Sequence, residues 1–264
     1  MAYLNVENLS VNYGEINVLN NISFEVEKGE IVSIVGESGS GKSTLLNAIQ
    51  GFLPENGVIE QGHILLEDVD LVHKNQKYFE MIRGNKIGTI FQEPGSTLNP
   101  VRKIGVQFVE NLKYKMKMNK HEAMEYALFM LDKVRLKEPE KVINQYPFEL
   151  SGGMKQRVSI AMAMSLKPSL LIGDEPTSAL DATVQKQIID EFIDLRKEFN
   201  TTILLVTHNL ALASYISDRI MVLYQGNTVE YGSATSILTN PSCDYTKKLV
   251  RDIPRLRREE CSNA

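Results

Sequence analysis

Eight residues, Gly36-Glu37-Ser38-Gly39-Ser40-Gly41-Lys42-Ser43, fit the spacing G-x-x-x-x-G-K-[ST]. Glycines let successive backbone N–H groups curl around an anion. Lys42 reaches the β- and γ-phosphates, the Ser43 hydroxyl suits Mg²⁺, and a helix opening at this point adds the positive end of its dipole. The four fixed positions coincide by chance in only about 1% of chains of this length. The flanks are also those the chemistry demands, with apolar Ile31-Val32-Ser33-Ile34-Val35 before the loop and helix-like Thr44-Leu45-Leu46-Asn47-Ala48-Ile49 after it. A nucleoside triphosphate is the implied ligand.

Such a loop needs a carboxylate delivered from a second strand toward the metal. Ser169-Leu170-Leu171-Ile172-Gly173-Asp174 is an apolar run ending in an acid, so Asp174 is the metal-side candidate. Glu175 follows beyond the strand end, where it can accept a hydrogen bond from an attacking water; it is the candidate base. Alone, Asp-Glu-Pro reads equally well as a turn bent by Pro176, and the phosphate loop upstream decides between the two. His208 closes Leu204-Leu205-Val206-Thr207; a lone histidine at a strand end is more often structural. Leu150-Ser151-Gly152-Gly153-Met154-Lys155-Gln156-Arg157 carries no acid or base and reads as a Ser-capped, Gly-flexible helix start running into Val158–Leu166, a place where an anion can also bind. His63, His73 and His121 fall on polar stretches without ligand spacing and receive no role.

The elements that would position these groups are short. Strands are expected over 4–11, 22–26 and 31–35, separated by turns at Asn20-Asn21 and Lys28-Gly29. Further strands over 87–91, 170–172, 202–207 and 220–224 alternate with helical patterns, which implies a largely parallel sheet. From Thr97 to Leu150 the chain turns Lys-, Glu- and Met-rich with helical spacing and reads as a helical insertion.

Composition bounds the rest. At 264 residues, 43% hydrophobic and 23% charged, the chain suits one domain with an insertion, or two small ones. A net charge of -4 provides no drive toward nucleic acid. Cys243 and Cys261 show no metal-ligand spacing and fit a reducing compartment, so the expected location is cytosolic. The longest apolar runs fall far short of the ~20 residues of a membrane helix, and the first residues do not read as a signal peptide. The tail Arg255-Leu256-Arg257-Arg258-Glu259-Glu260 reads as a solvated end.

With Leu150–Arg157 placed shortly before the acidic strand, the sequence resembles the ABC ATPase family over residues 3 to at least 249. The resemblance implies an α/β fold: a P-loop NTPase core with a mainly parallel sheet (1–95 and 157–240), an N-terminal antiparallel β subdomain, an inserted helical subdomain carrying the signature (96–156), and a tail (241–264). It implies ATP and Mg²⁺ as ligands. Gly36, Glu37, Ser38, Gly39, Ser40, Gly41, Lys42, Ser43 and Thr44 would cradle the nucleotide and Tyr13 would stack on adenine. Ser43, Gln92 and Asp174 would serve Mg²⁺, and Glu175, His208 and Gln92 would serve hydrolysis. Ser151, Gly152 and Gly153 would contact the nucleotide of a second subunit, and Asp181, in Ser178-Ala179-Leu180-Asp181, would speak across that dimer.

Phe91-Gln92-Glu93-Pro94-Gly95-Ser96-Thr97-Leu98-Asn99-Pro100-Val101 looks like the peptide and nickel importer branch. Gly51-Phe52-Leu53-Pro54 and Asp244-Tyr245-Thr246-Lys247-Lys248-Leu249 agree with it. The end at Ala264, with only Cys261 where peptide-transport members often carry a longer cysteine-bearing tail, leans slightly toward metal-chelate members and leaves the cargo undecided. Implied partners are two integral-membrane permeases, a second ATPase subunit (identical or a paralogue) and, indirectly, an extracytoplasmic binding protein, at the cytoplasmic face of the membrane. The rival class is a non-transport ABC ATPase acting on nucleic acid or the ribosome; its usual coiled-coil insertion or second cassette does not fit this length. A GTPase would need N-K-x-D, and Asn85-Lys86-Ile87-Gly88 lacks the acid.

Overall fold

A computed structural model describes residues 2–178 and 180–253. Ala179, Cys261 and the Arg255–Glu260 run lie outside the described residues. The chain runs β1 (Ala2–Tyr13), β2 (Ile16–Glu27), β3 (Ile31–Val35), α1 (Lys42–Gln50), β4 (Gly57–Leu66), β5 (Val69–Asp70), α2 (Gln76–Ile82) and β6 (Ile87–Ile90). Helices α3 (Pro94–Thr97), α4 (Ile104–Met116), α5 (Lys120–Lys133), α6 (Pro139–Val142) and α7 (Gly152–Met164) follow. The remainder is β7 (Leu170–Asp174), α8 (Ala182–Phe199), β8 (Thr202–Thr207), α9 (Leu210–Ile216), β9 (Arg219–Tyr224), β10 (Asn227–Ser233), α10 (Ala234–Thr239) and α11 (Asp244–Arg251).

Among the described residues the strands form two sheets. One is four-stranded and antiparallel in the order β2-β1-β4-β5; the other has six strands in the order β10-β9-β3-β8-β7-β6. In the second, β9, β3, β8, β7 and β6 are mutually parallel and β10 closes one edge antiparallel to β9. All residues of β3 and β8 are buried, as the continuous apolar runs of a parallel sheet covered on both faces require. The α/β architecture expected from the sequence is therefore present.

Three strands escaped the reading of the sequence: β4, the two-residue β5 and β10. In β4 the polar run Glu60-Gln61-Gly62-His63 interrupts the period of two, and Gly62 takes a left-handed φ of 98° where the strand passes the Asn8 backbone. In β10 only intermediate and exposed positions occur, so no apolar face marks it. Conversely, Asn20-Asn21 does not separate two strands. Both lie within β2, where Asn21 adopts a φ of 49° beside a register shift against β1. His63 is exposed and hydrogen-bonded to Asp70 at 2.8 Å.

The helices between Pro94 and Met164 share one apolar cluster with α8 and one face of the parallel sheet, in which Phe108, Leu112, Met130 and Leu131 are fully buried beside Leu171, Ile188 and Leu205. Helix α5 opens on a reciprocal capping box in which Asn119 accepts from His121 N and Glu122 N, while the Glu122 carboxylate accepts from Asn119 N. Helix α7 is tied to α8 by a charge pair: the Arg157 guanidinium donates to the Glu191 carboxylate at 2.9 to 3.2 Å. Glu191 is 1% exposed, and burial pushes its carboxyl above the ordinary range against the opposing pull of Arg157.

Removing Arg157 leaves that carboxylate buried and unpaired, which costs about 3–5 kcal/mol. Arg157→Met is expected to lose stability on that scale in denaturant unfolding at neutral pH. With its folded pKa raised further above the unfolded value, Glu191 contributes a penalty that grows as pH rises through the folded pKa and fades below the unfolded one. The deficit is therefore expected to shrink as the pH is lowered toward 5; a deficit independent of pH would mean lost packing rather than an orphaned charge.

Candidate functional site

The fully buried β3 ends at Val35, and the chain turns at once into the phosphate-binding loop. Gly36 has no room for a side chain, because a Cβ there would collide with the Leu223 carbonyl oxygen of β9. Gly41 takes a φ of 103° and a Cβ on it would lie 2.6 Å from Leu19 Cδ2. Gly41 also forms the N-cap of α1 and provides no side-chain cap, so the first N–H groups of this helix are left for a ligand.

Lys42 opens α1 and is 6% exposed. Its ammonium donates to Gly36 O at 2.8 Å and to Glu37 O at 2.7 Å, which uses two of its three N–H donors. Burial lowers its pKa, and the charges of Glu175 and Asp174 oppose that shift. Asp174 ends β7 and its carboxyl is pushed up, first by burial and then by the Glu175 charge, against the Ser43 hydroxyl and Lys42. The Ser43 hydroxyl points at Asp174 Oδ2 from 3.5 Å. Ser40 Oγ is buried without a hydrogen-bond partner among the described residues.

Glu175 sits where the strand has ended, in the left-handed region at a φ of 44°. A non-glycine residue pays for that conformation and is usually held in it by its surroundings, commonly at working sites. Here the Glu175 N–H donates to Val206 O at 2.9 Å, and the Ser178 hydroxyl donates to Glu175 O at 3.1 Å. Glu175 Oε2 lies 3.0 Å from Nδ1 of His208, which follows β8.

Gly36, Glu37, Ser38, Gly39, Gly41, Lys42, Ser43, Thr44, Gln92, Asp174, Glu175 and His208 line one cleft of about 940 Å³. The cleft thus gathers residues from β3, β6, β7 and β8, all at the same ends of parallel strands, where ligands of open α/β sheets bind. Tyr13 stands beside it: its hydroxyl donates to Thr44 Oγ1 at 3.2 Å. Ser151, Gly152, Gly153 and Asp181 do not line it. Ser151 caps α7 by accepting from Met154 N at 3.3 Å, and Asp181 caps α8 by accepting from Thr183 N and Val184 N at 3.1 and 3.0 Å.

The cleft has walls that reading the sequence did not find. Val18 comes from the turn side of β2, and Asn209, Leu210 and Ala211 open α9. Asn209 also caps that helix by accepting from Leu212 N at 3.1 Å, a signal present in the sequence as an Asn ahead of an apolar run. Leu249, Asp252 and Ile253 arrive from the C-terminal end, which no local pattern connects to a loop two hundred residues earlier.

A profile of the ABC transporter family matches residues 19–178. The oligopeptide transport ATP-binding protein OppD of Bacillus subtilis is 42% identical over 258 residues, 96% of this chain and 72% of that protein. The dipeptide transport ATP-binding protein DppD of Lactococcus lactis is 40% identical over 256 residues, 95% of this chain and 73% of that one. Among solved structures, a dimeric ATP-binding cassette in a post-hydrolysis state bound to ADP and Pi superposes with a TM-score of 0.77 at 30% identity, covering 88% of this chain and 98% of that chain. The cbiO1 protein of Clostridium perfringens, part of an ABC transporter complex, superposes with a TM-score of 0.79 at 26% identity, covering 96% of each chain. A buried lysine in a glycine loop, two carboxylates at the end of β7 and a helix opening on Ser151-Gly152-Gly153 thus occur in a fold and a sequence that both match: the chain belongs to the ABC transporter family, as one of its ATPase cassettes.

Proposed function

We propose that this chain hydrolyses Mg·ATP to drive uptake of peptides through partner permeases at the cytoplasmic face of a membrane. The observation that carries the hydrolytic part is the Glu175–His208 pair at 3.0 Å, facing the same cleft as Lys42. The names of the relatives, oligopeptide and dipeptide transport proteins, support the cargo.

In this reading the loop's N–H groups and the start of α1 bind the phosphates, and the remaining Lys42 donor reaches the γ-phosphate. The Tyr13 ring offers a face for adenine beside Thr44. Ser43, Asp174 and Gln92 would hold Mg²⁺. Hydroxyl, carboxylate and amide oxygens are the hard donors this ion takes, with phosphates and water filling its octahedron. When bound, the ion neutralises charge on the β- and γ-phosphates. Glu175 accepts a proton from the attacking water, and His208 holds the carboxylate in place and presents its other ring nitrogen to the γ-phosphate.

Ser151 and Gly152 are exposed and do not line the chain's own cleft. That suits a second cassette, identical or a paralogue, whose nucleotide they would complete, while Asp181 faces the same partner. No described helix is long and apolar enough to cross a membrane, so force must pass to permeases by contact. The groove of about 330 Å³ lined by Phe91, Thr97, Leu98 and Ser159 lies next in sequence to Gln92 and is the proposed docking place. Leu98 itself is 3% exposed and belongs to the apolar core, whereas Asn99 is exposed, with its backbone N–H and carbonyl bonded to Gln107. Val101, two residues further on, is 78% exposed.

Glu175→Gln is expected to bind Mg·ATP normally and to slow hydrolysis about 10²–10⁴-fold, accumulating a closed dimer; near wild-type turnover would assign the base to another residue. Val101→Asp is expected to depress uptake while ATP turnover continues, and unaltered uptake would move the docking place elsewhere. For the cargo, cells lacking the chain are expected to lose uptake of labelled di- and oligopeptides. Loss of labelled nickel uptake instead would assign the chain to metal-chelate import.

A further inference from the structure

Helix α11 returns to the phosphate-binding loop from the far end of the chain. The Glu37 backbone N–H donates to Tyr245 Oη at 3.0 Å. That N–H belongs to the peptide unit joining Gly36 and Glu37, and the carbonyl of the same unit, Gly36 O, accepts the Lys42 ammonium at 2.8 Å. One peptide plane is therefore held on one side by the phosphate-reaching lysine and on the other by the tyrosine. We propose that Tyr245 is a positioning residue of the ATP site, its hydroxyl fixing the first peptide of the loop so that Lys42 and the N–H groups that follow are presented ready for phosphate.

The tyrosine is itself firmly placed. Its ring lies against Tyr224, the last residue of β9, with centroids 4.3 Å apart. Residue 223, just before it, provides the carbonyl that leaves no space for a Cβ on Gly36. The start of α11 is anchored by Glu230 of β10, whose carboxylate accepts from Ser242 N at 2.9 Å and Cys243 N at 3.3 Å. One turn beyond Tyr245, the Lys248 ammonium lies 3.4 Å from Glu37 Oε1; both ends are exposed, so this pair adds orientation more than energy. Tyr245, Leu249 and Ile253 pack on the cluster that includes Val35 and Leu210. Burial raises the Tyr245 phenol, which keeps it a neutral hydroxyl at physiological pH.

The energetic logic is preorganisation. A loop whose first peptide is already oriented loses less freedom when phosphate arrives, so the bond appears as nucleotide affinity and not as chemistry. The inference rests on the cleft being the ATP site. Tyr245→Phe keeps the ring on Tyr224 and removes only the acceptor. Its Kd for Mg·ATP in the full chain, and its KM in the assembled transporter, are expected to rise about two- to tenfold, with kcat within about twofold and the melting temperature close to wild type. Tyr224→Phe, which alters the neighbouring ring without touching the loop, is expected to bind like wild type.

Wild-type Kd and KM in Tyr245→Phe would overturn the assignment, as would an equal loss of affinity in Tyr224→Phe, which would trace it to general packing. Lys42→Ala separates this inference from the reading it rests on. If Lys42→Ala abolishes binding and Tyr245→Phe does not weaken it, only the role of Tyr245 falls. If the wild-type chain binds no Mg·ATP, the function and the role fall together.

Discussion

An ammonium group cannot be buried in a protein without compensation, and Lys42 is buried. Much of the cleft can be understood as the answer to that single constraint. Two carbonyls of its own loop accept from it, two carboxylates at the end of β7 oppose the pKa shift that burial imposes, and those carboxylates are in turn shifted or oriented by Ser43 and His208. The groups are mutually dependent because the low-dielectric floor made by β3, β7 and β8 would penalise any of them alone.

The parallel sheet exists to make this floor. Residues remote in sequence reach the cleft because β3, β8 and β7 lie side by side in register, Val35 beside Thr207 and Asp174 beside Val206. A one-residue slip between β7 and β8 would turn Asp174 to the other face and part Glu175 from His208. The left-handed backbone at Glu175 has the same origin: its N–H pairs with Val206 O, continuing the ladder one step past the strand end while the chain already turns toward Pro176.

What could be read from the sequence follows from which signals are local. The loop at 36–43, the apolar strands β3, β7 and β8 and the cap at Ser151 each announce themselves within about ten residues, by spacing or by a continuous apolar run. Strands β4 and β10 do not: β4 is half-exposed and pairs with β1, about fifty residues earlier, while β10 follows β9 across a two-residue turn but has no buried position to mark an apolar face. The Asn20-Asn21 turn was misread because two consecutive turn-forming residues can equally serve a bulge inside a long hairpin strand. Leu98 stands among polar neighbours and is nevertheless buried, because it packs in the cluster shared with α4 and α7, which sequence spacing does not connect to it. The wall formed by Leu249, Asp252 and Ile253 is the most non-local feature of all.

The junction of α7 and α8 has a consequence of its own. A Cβ on Gly153 would stand 3.2 Å from Val184 Cγ1 and one on Gly152 3.8 Å from Leu180 Cδ2, so the opening turns of the two helices touch, and one turn further along Arg157 and Glu191 lock their shafts together. Ser151 and Asp181, thirty residues apart in the chain, are therefore two corners of a single stiff plate. Any displacement of one corner would be passed to the other through these side-chain contacts and not along the chain that separates them.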